Sequence, residues 1–200
     1  MRTRGRANPE GGHLQTMQTM QTSWSTPLWQ QFGAAIDMLD SALVACPDAL
    51  WRQLVWHDPS VASQGAEFWY VAYHALFWLD LYLSGSAEGF APPVPFTLEE
   101  LDPAGVLPAR PYTREELRTY LAFARQKCHT ALASLTDEQA RRFVDIPWAK
   151  GRAFSYLELQ LYSMRHVQEH AAQLSVFLGQ NAIHAGLNWI ARAKSDPDRK

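Results

Sequence analysis

The chain has 200 residues, 47% of them hydrophobic and 12% aromatic, which suits one domain with a sizeable core. Its formal net charge is −2 and its lysines and arginines are scattered, so no basic stripe exists to neutralise phosphates and nucleic-acid binding is not indicated. Cys46 and Cys128 lie far apart in helix-like stretches and read as reduced thiols of a cytoplasmic protein rather than a disulfide framework.

Residues 1 to 23 carry arginines without a following apolar run, which argues against a secretory signal peptide. With the tandem Met-Gln-Thr at 17 to 22, the stretch is expected to be a flexible tail or an over-extended start, with His13 solvated. A first helix is predicted from an N-cap at Thr26, with Pro27 at the first helical position, to about Ala45 before Cys46-Pro47. The second is the aromatic segment AEFWYVAYHALFWLDLYLS at 66 to 84, closed by Ser84-Gly85-Ser86. It is long and apolar, but Glu67, His74 and Asp80 are costly in lipid, so it reads as a helix buried on most sides of a bundle and not as a membrane span.

Prolines at 92, 93, 95, 103, 108 and 111 break the connection from 89 to 112, which predicts a long crossover without regular structure. Thr113 with Glu116 forms a capping box for a third helix, whose stripe of Leu117, Leu121, Ala124, Cys128 and Leu132 stops near Leu135. Ser155 with Glu158 forms a second capping box, opening a fourth helix that is expected to reach Leu178 and stop at Gly179. Strand-like alternation is nowhere sustained. The fold class is therefore all-α, a four-helix bundle over residues 24 to 192 with a C-terminal tail at 193 to 200.

The seven histidines direct the search for chemistry. His166 and His170 are spaced i, i+4, so their Cβ atoms lie roughly 6 Å apart on one helix face and both imidazoles can reach one metal ion. At 100° per residue they flank the apolar stripe Val167, Ala171, Leu174 and Leu178 on one side, at the edge of the bundle interior. His74 lies on the apolar face of the second helix, in line with Tyr70, Val71, Phe77, Trp78 and Leu81. Each alone also fits a core histidine held by a hydrogen bond, and spacing alone leaves both readings open. No Glu is followed by His at the third position, as a ferritin-like di-iron centre requires, and His166 to His170 reads His-Val-Gln-Glu-His, not the His-Glu-x-x-His of a zincin. His57, His129 and His184 are expected at the surface.

Tyr73-His74-Ala75-Leu76-Phe77-Trp78 on the second helix, and Arg165 to Leu174 on the last, resemble the two signature helices of the DinB/YfiT-like superfamily. Pro147-Trp148 before the last helix extends the resemblance, which covers most of residues 24 to 192. It implies an up-down-down-up bundle with a three-histidine metal centre, one ligand from the second helix and an HxxxH pair from the fourth. His74, His166 and His170 occupy those positions. The related sulfoxide synthases of ergothioneine biosynthesis carry HxxxHxE, and Ala172 stands in the last place here, which argues against that activity.

Three neutral imidazoles leave an open position on a divalent ion, which distinguishes catalytic from structural zinc sites. The resemblance thus implies a metal-dependent enzyme, a thiol S-transferase or a hydrolase, using Zn or Ni, with Fe or Mn as further candidates and a low-molecular-weight thiol as a possible cosubstrate. The alternative is a non-catalytic bundle protein in which the metal joins helices. Glu169, Gln168, Tyr73 and Tyr162 are candidate helpers, although the 100° rule turns Glu169 away from His170. Trp69, Tyr70, Trp78 and Trp148 are candidates to line a pocket or to fill the core. A small-molecule substrate and a homodimer are expected.

Overall fold

The computed structural model describes residues 24–57, 63–149, 151–184 and 189–194. The tail expected at 1 to 23, with His13, and residues 195 to 200 lie outside the described residues. Four long helices carry the fold: α1 (Ser25–Ala45), α2 (Phe68–Ser84), α3 (Arg114–Ala133) and α5 (Tyr156–Gln180), with a one-turn α4 (Asp137–Arg141) between the last two. α1 packs chiefly on α3 and α5, and α2 packs chiefly on the same two helices, so α1 and α2 stand across the core from each other. No described helix is long and apolar enough to cross a membrane.

Both expected capping boxes are present: Thr113 with Glu116, and Ser155 with Glu158, each bond the other's backbone N–H. The expected N-cap at Thr26 is displaced. Trp24 holds the cap position without a side-chain cap, and Thr26 and Pro27 fall within the first turn, where the N–H that Pro27 lacks has no intrahelical partner to lose. Gly85 ends α2 in the left-handed conformation at φ 72°, donating to the Leu81 and Tyr82 carbonyls. Gly179 does not end α5. The helix continues through it to Gln180, where the Asn181 N–H and side-chain amide take over the last carbonyls.

The predicted stripes are buried in full, Leu117, Leu121, Ala124, Cys128 and Leu132 on α3, and Val167, Ala171, Leu174 and Leu178 on α5. They meet Phe32, Ile36, Leu39 and Leu43 of α1 and Leu76 and Leu79 of α2. One buried ion pair crosses this core: Asp80 of α2 accepts from Lys127 Nζ at 2.5 Å and from the Tyr120 hydroxyl at 3.0 Å. Cys46 and Cys128 are buried free thiols, and burial pushes Cys46 up to about 12, so neither is a ready nucleophile. Besides α4, two further features go beyond the helices expected from the sequence. A two-residue antiparallel pairing joins Phe143–Val144 to Phe154–Ser155 just before α5, and the chain at Ala191 to Lys194 lies along α1, where Ala193 N–H reaches the Gln30 carbonyl at 2.9 Å and Lys194 N–H reaches Asp37 at 2.6 Å.

Candidate metal centre

Where α2 faces α5, the partly exposed residues of α2 fall at i, i+4 and i+8: Tyr70, His74 and Trp78. Apart from the exposed Ser84 at its end, this row interrupts a helix otherwise buried on nearly every side. Opposite it, His166 and His170 lie beside the buried stripe of α5, each only partly covered. The expected deep burial of His74 does not hold, since its side chain keeps 31% of its accessible surface.

The three rings meet through one kind of atom. His166 Nε2 stands 3.2 Å from His74 Nε2 and 3.1 Å from His170 Nε2, and the candidate ligand atoms of all three lie within 4.8 Å of one another. Two of the three opposite nitrogens are committed elsewhere. His74 Nδ1 donates to Glu100 Oε2 at 2.8 Å, and His170 Nδ1 donates to the Gln173 side-chain carbonyl at 2.8 Å. Those two bonds fix the Nδ1–H tautomer, leaving each Nε2 lone pair directed into the cluster. Two such lone pairs and the Nε2 of His166 face one space, an arrangement that a single cation would satisfy.

Tetrahedral zinc with Zn–N bonds of about 2.0–2.1 Å places neighbouring nitrogens roughly 3.3 Å apart, close to the 3.2 and 3.1 Å that separate His166 Nε2 from the other two, with all three within 4.8 Å. The residues therefore fit a divalent ion held through three Nε2 atoms. His166 Nδ1 is buried without a partner in the described residues, so only two of the three rings are held from behind, by Glu100 and Gln173. Burial first, then the neighbouring His170 and His74, pushes His166 down to about 3. Burial and His74 pull His170 down to about 4, against the opposing influence of Gln173 and Glu100. Both rings are thus neutral at physiological pH, the state a metal ligand needs.

Glu100 is a functional residue that sequence reasoning does not reach. It comes from a single turn, Glu99–Leu101, inside the proline-rich crossover, and its Oε2 also accepts from Trp78 Nε1 at 2.8 Å. Burial alone would raise its carboxyl pKa, but the hydrogen bonds from His74, Tyr70 and Trp78 hold it below the ordinary carboxylate range. It is therefore an anion behind His74. Nothing local marks it out from Glu99, because the crossover that carries it has no periodic face.

The candidate helpers divide. Tyr162 lines a cavity of about 220 Å³ that opens beside the cluster, along with His74, His166, Trp78, Tyr82, Glu100 and Trp148. Tyr73 is fully buried and bonds the Thr97 carbonyl, Gln168 turns to Met38, and Glu169 is exposed as the 100° rule requires. Among the aromatics, Trp78 and Trp148 line the cavity, Tyr70 stands behind it against Glu100, and Trp69 is core, bonded to Glu67 at 2.6 Å. His57 and His184 are exposed, and His129 packs its ring on Trp29 at 4.6 Å, away from the cluster.

A bundle of four long helices with three imidazoles converging from two of them, at the edge of the core, is the architecture of a helical-bundle protein with a candidate metal site. The DinB superfamily model matches residues 31–174, which takes in both histidine helices and the crossover. The chain belongs to the DinB superfamily. No curated protein and no solved structure matches it.

Proposed function

We propose that the protein is a metal-dependent enzyme acting on a small molecule, with His74, His166 and His170 as the ligands of one divalent ion, Zn or Ni foremost, in an up-down-down-up bundle. The convergence of three Nε2 atoms beside an open cavity carries this reading. A divalent ion held there supplies Lewis acidity, lowering the pKa of a thiol or water that takes the remaining position.

The side chains around it favour thiol S-transfer over hydrolysis. Hydrolysis calls for a base near the attacking water, and the one carboxylate lining the cavity, Glu100, accepts from His74 and Trp78 through Oε2 and, with its pKa held below the ordinary carboxylate range, is a weak base even through its unpartnered Oε1. Burial raises the Tyr82 phenol, which excludes it as a base near neutral pH. A thiol made acidic at the centre needs no such group, since the thiolate is itself the nucleophile. Glu100 holds the His74 ring in place, and the aromatic walls limit water.

The test is elemental analysis of protein purified without chelator, followed by a thiol-transfer screen with and without added Zn or Ni. Metal-dependent transfer lost in His166→Ala is the expected result. Stoichiometric metal with a large chelator-induced fall in melting temperature, and no transfer or hydrolysis on any substrate, would assign the metal to a structural role instead.

A further inference from the structure

The cavity next to the three histidines has an aromatic wall. Trp78 and Tyr82 are paired at 5.4 Å between centroids, Trp148 and Tyr162 at 5.1 Å, and Tyr82 meets Tyr162 edge-on at 5.7 Å. The polar tips of these rings are largely spent on one another. Trp148 Nε1 donates to the Tyr82 hydroxyl at 2.8 Å, Trp78 Nε1 donates to Glu100, and Tyr82 is further bonded to Tyr162. What remains facing the space is ring surface, so recognition there is by shape and π-contact and not by directed hydrogen bonds. The exceptions are the Nε2 cluster, since His74 and His166 form one side of the same space, and the Oε1 of Glu100, which has no partner among the described residues.

Size narrows the occupant. An apolar cavity of about 150 Å³ accommodates benzene, so about 220 Å³ is room for one substituted six-membered ring. We propose that this cavity receives the single aromatic ring of a small substrate whose donor atom, a thiolate or a comparable anion, is directed at the three Nε2 atoms. The inference rests on the metal-dependent reading above and names the substrate class for that site. A flat ring laid against the wall that Trp78, Tyr82, Trp148 and Tyr162 form gains offset or edge-to-face contact with it. A compact polar chain of the same donor chemistry gains neither contact and finds few free hydrogen-bonding groups to replace those it loses to water. An organic ammonium is the competing occupant of an aromatic wall, with Glu100 Oε1 as its one unpartnered acceptor, and the cysteamine arm of the titration below tests for it.

The full-length protein loaded with Co(II) gives a readout independent of turnover, the sulfur-to-cobalt charge-transfer band. It is titrated with benzyl mercaptan, 2-mercaptoethanol and cysteamine, which are alkyl thiols differing in the attached group. Benzyl mercaptan should bind about ten-fold or more tightly than either of the others. Trp148→Ala should remove most of that preference while Co(II) stoichiometry and 2-mercaptoethanol affinity stay as in the wild type. Tyr162→Leu, from the helix and not the loop, should do the same and serves if the Trp148 variant is unstable. Equal affinity for benzyl mercaptan and 2-mercaptoethanol, or tighter binding of cysteamine, overturns the substrate class while leaving the metal reading intact. Failure to bind Co(II) at all overturns the metal reading and this inference with it.

Discussion

Removing the Glu100 carboxylate should weaken metal binding although Glu100 is not itself a ligand. Its Oε2 accepts from His74 Nδ1 and Trp78 Nε1, both at 2.8 Å, and its side chain is only 5% exposed. In Glu100→Ala the His74 ring loses the acceptor that fixes its tautomer and its orientation, and Trp78 loses its anchor on the same oxygen. A hydrogen bond to a charged group contributes about 1.5–3 kcal/mol, and carboxylates behind metal-bound histidines are worth about 10- to 100-fold in affinity, or roughly 1.4–2.7 kcal/mol. The two scales agree, so Glu100→Ala should weaken Zn(II) binding by about 10- to 100-fold. Glu100→Gln, which can still accept from Nδ1 through its amide oxygen but carries no charge, should fall near the lower end of that range. Competition against a chromophoric chelator measures both. Glu100→Ala that binds Zn(II) as tightly as wild type, with unchanged helical content, would refute the reasoning, because His74 would then be held by packing alone.

Substituting His166 or His170 with Ala should abolish stoichiometric metal binding while the melting temperature of the metal-free protein changes little, since Val167, Ala171, Leu174 and Leu178 keep the buried face of α5; calorimetry with and without chelator checks this. His74→Ala should behave alike and not cost more, because the ring is partly exposed; a loss of several kcal/mol would contradict this. His166 and His170 sit below their ordinary pKa of 6.5, at about 3 and about 4, so the unfolded chain binds more protons across that window. Their contribution to metal-free stability is full above about pH 6.5 and is lost as the pH falls toward 3 to 4, with each pH unit between the unfolded and folded pKa of a ring worth about 1.4 kcal/mol. Denaturant titrations from neutral to acidic pH should show this decline, flattened in the His166→Ala, His170→Ala double variant; stability that grows on acidification would contradict it. Lys127→Met strips Asp80, 1% exposed, of its cationic partner and should cost about 3–5 kcal/mol, whereas a change below about 1 kcal/mol in urea unfolding would show that Tyr120 alone satisfies the carboxylate.

What the sequence disclosed and what it hid follow from the range of the interactions involved. Thr113 with Glu116 and Ser155 with Glu158 are contacts within four residues, so their capping boxes are readable without tertiary structure. The buried stripes of α3 and α5 are readable for the same reason, as helical periodicity is local. Thr26 misleads because Ser, Thr and Pro near a helix start are compatible with several registers, and the packing of Trp29 and Phe32 chooses among them. Gly179 misleads because a glycine ends a helix only if the chain must turn there; α5 runs on to Gln180. The short α4 after Thr136 has its own capping box with Gln139, a local signal of the same kind on a helix too short to show a period.

At the site, the HxxxH pair is legible from spacing, while His74 joins it only through the packing of α2 against α5, and the family resemblance supplies that link. Glu100 and the aromatic walls depend on where an irregular crossover and the loop around Trp148 come to rest, which no period in the sequence encodes. Tyr73 shows the converse error. It neighbours His74 in the chain, but successive helical residues diverge by 100°, which carries it into the core.

X-ray absorption at the metal edge of the zinc-loaded protein tests the central claim most directly. Three imidazole nitrogens at about 2.0–2.1 Å should be accompanied by one exchangeable ligand that is replaced by sulfur when a thiol is added. His74→Ala should reduce the imidazole count to two. A spectrum with four protein ligands and no change on adding thiol, or protein that takes up no zinc, would contradict the account.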